Sequence, residues 1–412
     1  MERDERMKIG FFISDFPRAT ETFIMSQLAG LRDRGHELLV MAPACPDDQV
    51  NHDALERHAA IWKRTPPLPR TRLGRTLKGL QLTALHGPRH PRVVARTLDP
   101  RRFGRHALSF AALNAAVPLL DAPHFDVVHC HFGPTGVMAA ILKDLELLHA
   151  PLIVTFYGHD VIRYPRQHGA DIYKRLFQRA DRILALDEVM KERLEGLGAP
   201  EGKLRIQPLS VDCELFAPPH AHTDQPPLQL LSVGRLVEKK GFEDGLRAVA
   251  RALECNEEIT YRIAGDGPLL DRLKIVATEL QLGTAVEFLG SIPHDQVRDL
   301  MRSSHALLAP STEARDGDQE GTPTVIIEAM ACGIPIIATR HAGIGSLVED
   351  EANGWLVGEG DVDSLSERIA RACDPDLSAH MGANARKVAL ERFEANIVID
   401  KLESIYRDVM SG

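Results

Sequence analysis

Short apolar runs alternate with amphipathic ones twice along this chain, and a proline-rich stretch separates the two series. The first opens with MKIGFFISDFP, an apolar run closing in a loop, followed by the helical pattern ETFIMSQLAGLRDRG that stops at Gly35. It continues through ELLVMAP, FDVVHCHFG, PLIVTFYGHD and ADRILALDEVMKERLEGLG to KLRIQPLSVD, and the β-branched and aromatic content of these runs predicts buried parallel strands. Residues 212–227 hold several prolines and no apolar period, which predicts a linker. The alternation restarts at LQLLSVGR and runs through GFEDGLRAVARAL, ITYRIAGDGP, AVEFLGSI, HALLAPS, TVIIEAMACG and IPIIATR into a terminal region that reads as helical. Alternation of this kind implies doubly wound, mostly parallel α/β sheets.

A length of 412 residues suits two cores of this class rather than one. The expected division is residues 1–211, the linker 212–227, a second domain over 228–389, and a C-terminal helix over 390–412 that crosses back to the first. The longest apolar runs break short of the roughly 20 residues that span a bilayer. The N-terminus has no signal-peptide pattern, so a cytoplasmic protein is expected. Six scattered cysteines form no CxxC pair and predict free thiols rather than a disulfide framework or a zinc site.

A net charge of −9 argues against a general nucleic-acid binder, yet the charge is uneven. Between Lys63 and Arg105 stand twelve Lys or Arg and one acid, Asp99, with Leu73, Leu77, Leu80 and Leu82 among them. The stretch suits an anionic membrane surface or a phosphate-bearing acceptor, and equally a solvated helical face.

Three motifs fall at strand ends, where open α/β sheets gather their ligands. GRLVEKKG follows the strand LLSV: Gly234 allows a tight turn, and Arg235 and Lys240 put two cations where a diphosphate can be held. Basic loops of this kind are also met as plain surface, which is the reading for Glu238 and Lys239. GDGP, with Gly265, Asp266 and Gly267, fits a phosphate or nucleoside turn or an ordinary tight turn. EGTPTVIIEAMACG is the most informative. Thr322 is placed as an N-cap, Pro323 at the first helical position and Gly333 at the stop, so a helix N-terminus meets anionic charge. Glu320 and Glu328 lie eight residues apart, suited to accepting hydrogen bonds from sugar hydroxyls; the apolar neighbours of Glu328 argue against a solvated face.

The GRLxxxKG loop, the GDGP turn and the Glu-x7-Glu motif, in this order, resemble the donor domain of the retaining glycosyltransferases of family 4, among them members that build exopolysaccharides. The resemblance implies the GT-B fold: α/β, two Rossmann-like doubly wound domains facing a central cleft. It implies that Arg235 and Lys240 hold a donor diphosphate, that Glu320 with Gly321, Thr322, Pro323, Thr324 and Val325 holds the transferred sugar, that Glu328 binds the ribose, and that Gly234, Gly265, Asp266 and Gly267 line the nucleotide pocket. FYGHDV resembles a strand-end segment of the family and makes His159 a candidate beside the reacting centre. The loop Ser14–Phe23 resembles that of exopolysaccharide-building members but lacks the Gly-Gly pair many relatives carry, so Thr20 and Thr22 are its candidate hydroxyls.

The implied activity is a retaining transfer of a hexose from a nucleotide sugar, UDP-linked by analogy, to a saccharide or lipid-linked saccharide. No convincing carboxylate nucleophile is evident, so the resemblance implies a front-face reaction. No cofactor is expected. The acids of ARDGDQE, residues 314–320, lie on a loop without strand context, so metal independence is expected as well. A nucleotide-sugar 2-epimerase of the same fold and a non-catalytic nucleotide-sugar-binding partner subunit are the alternatives. A dehydrogenase lacks its GxGxxG fingerprint here.

Overall fold

A computed structural model describes residues 6–14, 16, 21–42, 62–120, 124–218, 227–255 and 258–411, without the side chains of residues 22 and 62–64. The chain divides into two compact units. One comprises residues 1–186, 191–207 and 401–412, and the other residues 187–190 and 208–400.

The first unit is built on a seven-stranded parallel sheet in the order β3-β2-β1-β4-β5-β6-β7. The strands are β1 (Lys8–Phe12), β2 (Glu37–Ala42), β3 (Trp62–Arg64), β4 (Val127–His131), β5 (Leu152–Thr155), β6 (Arg182–Ala185) and β7 (Leu204–Ile206). Every residue of β4 and β5 is buried, as strands covered on both faces require. His129 and His131 share one face of β4. The ring of His129 meets the hydroxyls of Tyr406 and Thr155, each at 2.7 Å, and Nδ1 of His131 meets the Tyr157 hydroxyl at 2.7 Å. Burial pushes both imidazoles well down, His131 to about 3, so both are neutral. Glu403, from the same C-terminal residues as Tyr406, accepts from His36 Nε2 at 2.8 Å.

The second unit carries a six-stranded parallel sheet in the order β10-β9-β8-β11-β12-β13. These are β8 (Leu228–Val233), β9 (Ile259–Ala264), β10 (Val286–Gly290), β11 (Ala306–Ala309), β12 (Ile336–Thr339) and β13 (Gly354–Val357). Strands β8 and β9 pair in register from Leu228↔Ile259 to Val233↔Ala264. The core gathers Leu230, Tyr261, Ile263, Leu308 and Ile337 beneath Leu246, Val249 and Ile369, with the fully buried Trp355 among them.

Two elements depart from the sequence reading. The terminal region is not wholly helical, because GWLV forms the edge strand β13, and WKR adds the three-residue β3 to the first sheet. Within 212–227, residues 212–217 are structured: Asp212 Oδ1 accepts from the amides of Glu214 and Leu215 at 3.0 and 2.8 Å. Residues 219–226 lie outside the described residues. None of the five described cysteines forms a disulfide; Cys130, Cys213 and Cys332 are buried, Cys255 is exposed, and Cys45 lies outside the described residues.

Candidate active site

Strand order in the second sheet reverses between β8 and β11. Open α/β sheets bind their ligands beyond the carboxyl ends of the strands at such a point. A recess lies there, lined by Ser232 and Val233 at the end of β8, Ala309 at the end of β11, and Lys240, Ser311, Pro323 and Val325 from the segments that follow.

The two glycine loops above this edge pack backbone to backbone. The Gly234 amide donates to the Ala264 carbonyl and the Leu236 amide to the Asp266 carbonyl, both at 2.9 Å. Gly265 has a φ of 143°, and a Cβ there would stand 1.9 Å from the Gly234 carbonyl oxygen. No other residue fits that position without moving the loop. A Cβ on Gly267 would likewise meet the Leu236 backbone at 2.5 Å. The exposed Asp266 folds back on its own turn, its carboxylate accepting from the Gly267 amide at 2.6 Å.

Lys240 runs its stem over Gly234 and brings its ammonium to 3.1 Å from Glu320 Oε2. Lys239, read from the sequence as solvated surface, is turned inward instead. Its ammonium donates to the Gln319 carbonyl at 3.1 Å and stands 3.3 Å from Asp318 Oδ2 and 3.7 Å from Glu320 Oε1. The loop of acids that precedes Glu320 draws it in. Glu238 does lie on the surface, paired with Arg315 at 3.2 Å. Burial raises the Glu320 carboxyl, but Lys240 and Lys239 outweigh it and leave it below its ordinary value, so Glu320 is ionised. Oε1 is buried without a hydrogen-bond partner among the described residues. Arg235, the first cation of the loop, is exposed and makes no side-chain hydrogen bond or ion pair among the described residues.

The helix after Glu320 spans Thr324–Ala331, with Pro323 rather than Thr322 in the N-cap position and no side-chain cap. Thr322 is diverted because its hydroxyl donates to the buried Asp187 at 2.7 Å, across 135 residues. Gly321 and Thr322 thereby form the entry to the helix, whose first amides, those of Thr324 and Val325, have no carbonyl partner within their own helix. Gly333 ends it with a φ of 72°, as the sequence indicates. Glu328 is buried one turn into the helix and accepts from His294 Nε2 at 3.0 Å. That bond outweighs the burial of the imidazole and holds the His294 pKa above its ordinary value.

His341 escaped the sequence reading. It is fully buried after β12, accepts at Nε2 from the Glu320 amide at 3.1 Å, and donates from Nδ1 to Glu359 at 2.6 Å. The two bonds fix its tautomer and clamp the backbone at Glu320. Its signal in sequence was the one that singled out His159, a histidine just beyond a buried strand. Asp187 and His294 carried no comparable mark.

His159 belongs to the first unit, beyond β5, with its side chain 55% exposed. The adjoining Asp160 is buried and accepts from the amides of Gly133 at 3.0 Å and Tyr157 at 3.1 Å. Asp160 therefore pins the FYGHD turn and leaves His159 facing outward. Thr20 and the Thr22 side chain lie outside the described residues.

The chain matches the family described as Glycosyl transferases group 1 over residues 218–388 and Glycosyltransferase Family 4 over residues 20–215. It is 32% identical over 412 aligned residues to WcaL of Escherichia coli (strain K12), a glycosyltransferase named for colanic acid biosynthesis, covering 97% of this chain and 99% of that one. To AmsK of Erwinia amylovora, named as an amylovoran biosynthesis glycosyltransferase, it is 31% identical over 371 residues, 89% of this chain and 90% of that one. The solved structure of Anabaena Alr3699/HepE in complex with UDP superposes with a TM-score of 0.72 over 98% of this chain and 100% of that one, and at 19% identity the likeness is one of fold. With GRLVEKKG following β8, GDGP following β9 and the segment of Glu320 following β11, the chain belongs to glycosyltransferase family 4 and has the GT-B fold.

Proposed function

We propose that the chain transfers a hexose from a UDP-linked donor, with retention of anomeric configuration, to a lipid-linked saccharide during assembly of an exopolysaccharide. The observation that carries this reading is the meeting of Lys240 with Glu320 beside an otherwise uncommitted Arg235 at the switch point of the second sheet. The names of the relatives from Escherichia coli and Erwinia amylovora favour an exopolysaccharide product, and the UDP complex of the structural neighbour favours UDP.

In this reading Arg235 and Lys240 hold the diphosphate together with the amides of Thr324 and Val325. Glu320 accepts hydrogen bonds from the hexose and Glu328 from the ribose, while Gly234, Gly265 and Gly267 let the nucleotide approach the backbone. The bond between the anomeric carbon and the diphosphate breaks, and the acceptor oxygen bonds to the same face of the sugar. The acceptor proton passes to the departing phosphate. Cations and helix amides fixed in advance stabilise the charge that grows on that phosphate, in the manner of an oxyanion hole. The reaction needs no metal ion.

The test is to screen nucleotide sugars for a rise in melting temperature, then to follow transfer with the best donor and assign the product anomer by NMR. UDP-hexose binding with a retained anomer supports the reading. An inverted product, or a 2-epimerised donor without transfer, refutes it. Activity abolished by chelator and restored by magnesium refutes metal independence.

A further inference from the structure

The helix Arg72–His86 leaves its leucines on the wrong side for a core. Its inner face is fixed by Gly79, where a Cβ would meet the Phe110 ring at 2.2 Å, and by Arg75 and Lys78, which donate to the carbonyls of Pro69 and Pro67 at 2.7 and 2.6 Å. On the opposite face Leu73, Leu77 and Leu80 recur at helical spacing with exposures of 70%, 60% and 58%. Leu82, which the sequence grouped with them, is half-buried, while Leu85 beyond it is 57% exposed. The stripe thus consists of leucines that the unit does not use.

Basic residues bracket this stripe along the chain. Arg70 and Arg72 stand at its start and Arg89 and Arg92 beyond its end; all four are exposed and make no side-chain hydrogen bond or ion pair among the described residues. Arg96, by contrast, is neutralised by Glu146 at 3.2 Å. Asp99, the one acid between Lys63 and Arg105, is spent on capping the next helix through the Arg101 amide at 2.9 Å. Uncompensated positive charge beside exposed leucines is the composition of a helix that lies in the plane of an anionic bilayer. The chain as a whole carries a net charge of −9, so attraction to such a surface through this patch also orients the protein on it. No helix among the described residues is long and apolar enough to cross a membrane.

We infer that the face of the helix Arg72–His86 bearing Leu73, Leu77 and Leu80, flanked by Arg70, Arg72, Arg89 and Arg92, docks the protein on an anionic lipid surface. The inference is independent of the sugar-transfer reading: UDP-induced stabilisation tests that reading in the same variants and does not depend on lipid.

The experiment is co-sedimentation of the full chain with phosphatidylcholine vesicles, with and without phosphatidylglycerol, at low and high salt. Two multiple variants are compared, Leu73→Gln/Leu77→Gln/Leu80→Gln and Arg70→Gln/Arg72→Gln/Arg89→Gln/Arg92→Gln, each verified as folded by its melting temperature. The wild type binds only vesicles containing phosphatidylglycerol, and salt weakens the binding. At roughly a fivefold loss per arginine, the arginine variant loses at least about a hundredfold in partition. The leucine variant loses at least about tenfold, in proportion to the apolar area it no longer inserts. Wild-type protein that ignores phosphatidylglycerol, or folded variants that bind as it does, overturns the inference. So does a wild-type dimer that the leucine variant converts to a monomer, which makes the stripe a contact between copies.

Discussion

The ammonium of Lys240 lies 3.1 Å from one carboxylate oxygen of Glu320, eighty residues along the chain. A buried carboxylate held by two lysines is an anion the site already tolerates, and in the proposed reading Lys240 also meets the donor diphosphate. Lys240→Ala is expected to lower turnover by at least about a hundredfold, the scale of losing one charge-stabilising donor. The fold survives because Lys239 still faces Glu320. Steady-state kinetics beside a thermal melt check this, and near-normal turnover removes Lys240 from the proposed role.

His341→Phe leaves the buried Glu320 amide without its acceptor, at a cost of about 1–3 kcal/mol. His341 reaches the site through the backbone of Glu320, its other bond going to Glu359, so the loss should appear in kcat while the affinity for UDP alone is little changed. Isothermal titration with UDP alongside kinetics distinguishes this from general unfolding, which would weaken both.

His294 and Glu328 give the stability of the second unit a pH dependence of definite sign. The folded pKa of His294 is raised above 6.5 by its bond to Glu328, so the stabilisation is complete below 6.5 and is lost as the pH rises through the folded value. Glu328→Gln should therefore lower the melting temperature more at about pH 6 than at about pH 9. A difference that is the same at both pH values contradicts the pairing.

Gly265→Ala forces a methyl group against the Gly234 carbonyl at a φ that alanine rarely adopts. The expected cost is at least about 2 kcal/mol, read from the urea midpoint, with loss of nucleotide-induced stabilisation as the two loops part. A variant of unchanged stability shows that the loops separate freely.

The sheets were legible because strands such as FDVVHCHFG and LQLLSVGR are long enough to show their apolar character. The strand β3, WKR, has no apolar run of its own, and β13, GWLV, stands in a terminal stretch dominated by helical periods. The motifs located Gly234 and Gly265 correctly at strand ends, directly after β8 and β9, since backbone punctuation is local. What escaped were side chains diverted by a distant partner. Thr322 has the composition of an N-cap, but Asp187 takes its hydroxyl; Lys239 reads as surface until the loop 314–320 folds over it. Competition of this kind is settled by tertiary proximity, which neither spacing nor propensity encodes.

Each compact unit is stitched from separate stretches of chain, residues 401–412 being counted with the first and 187–190 with the second. A gene severed between codons 211 and 228 would give an N-terminal product deprived of Tyr406 and Glu403, leaving His129 and His36 bereft of the groups that complete their hydrogen bonding. Exchange of whole lobes with a relative must therefore carry residues 401–412 along with the N-terminal lobe.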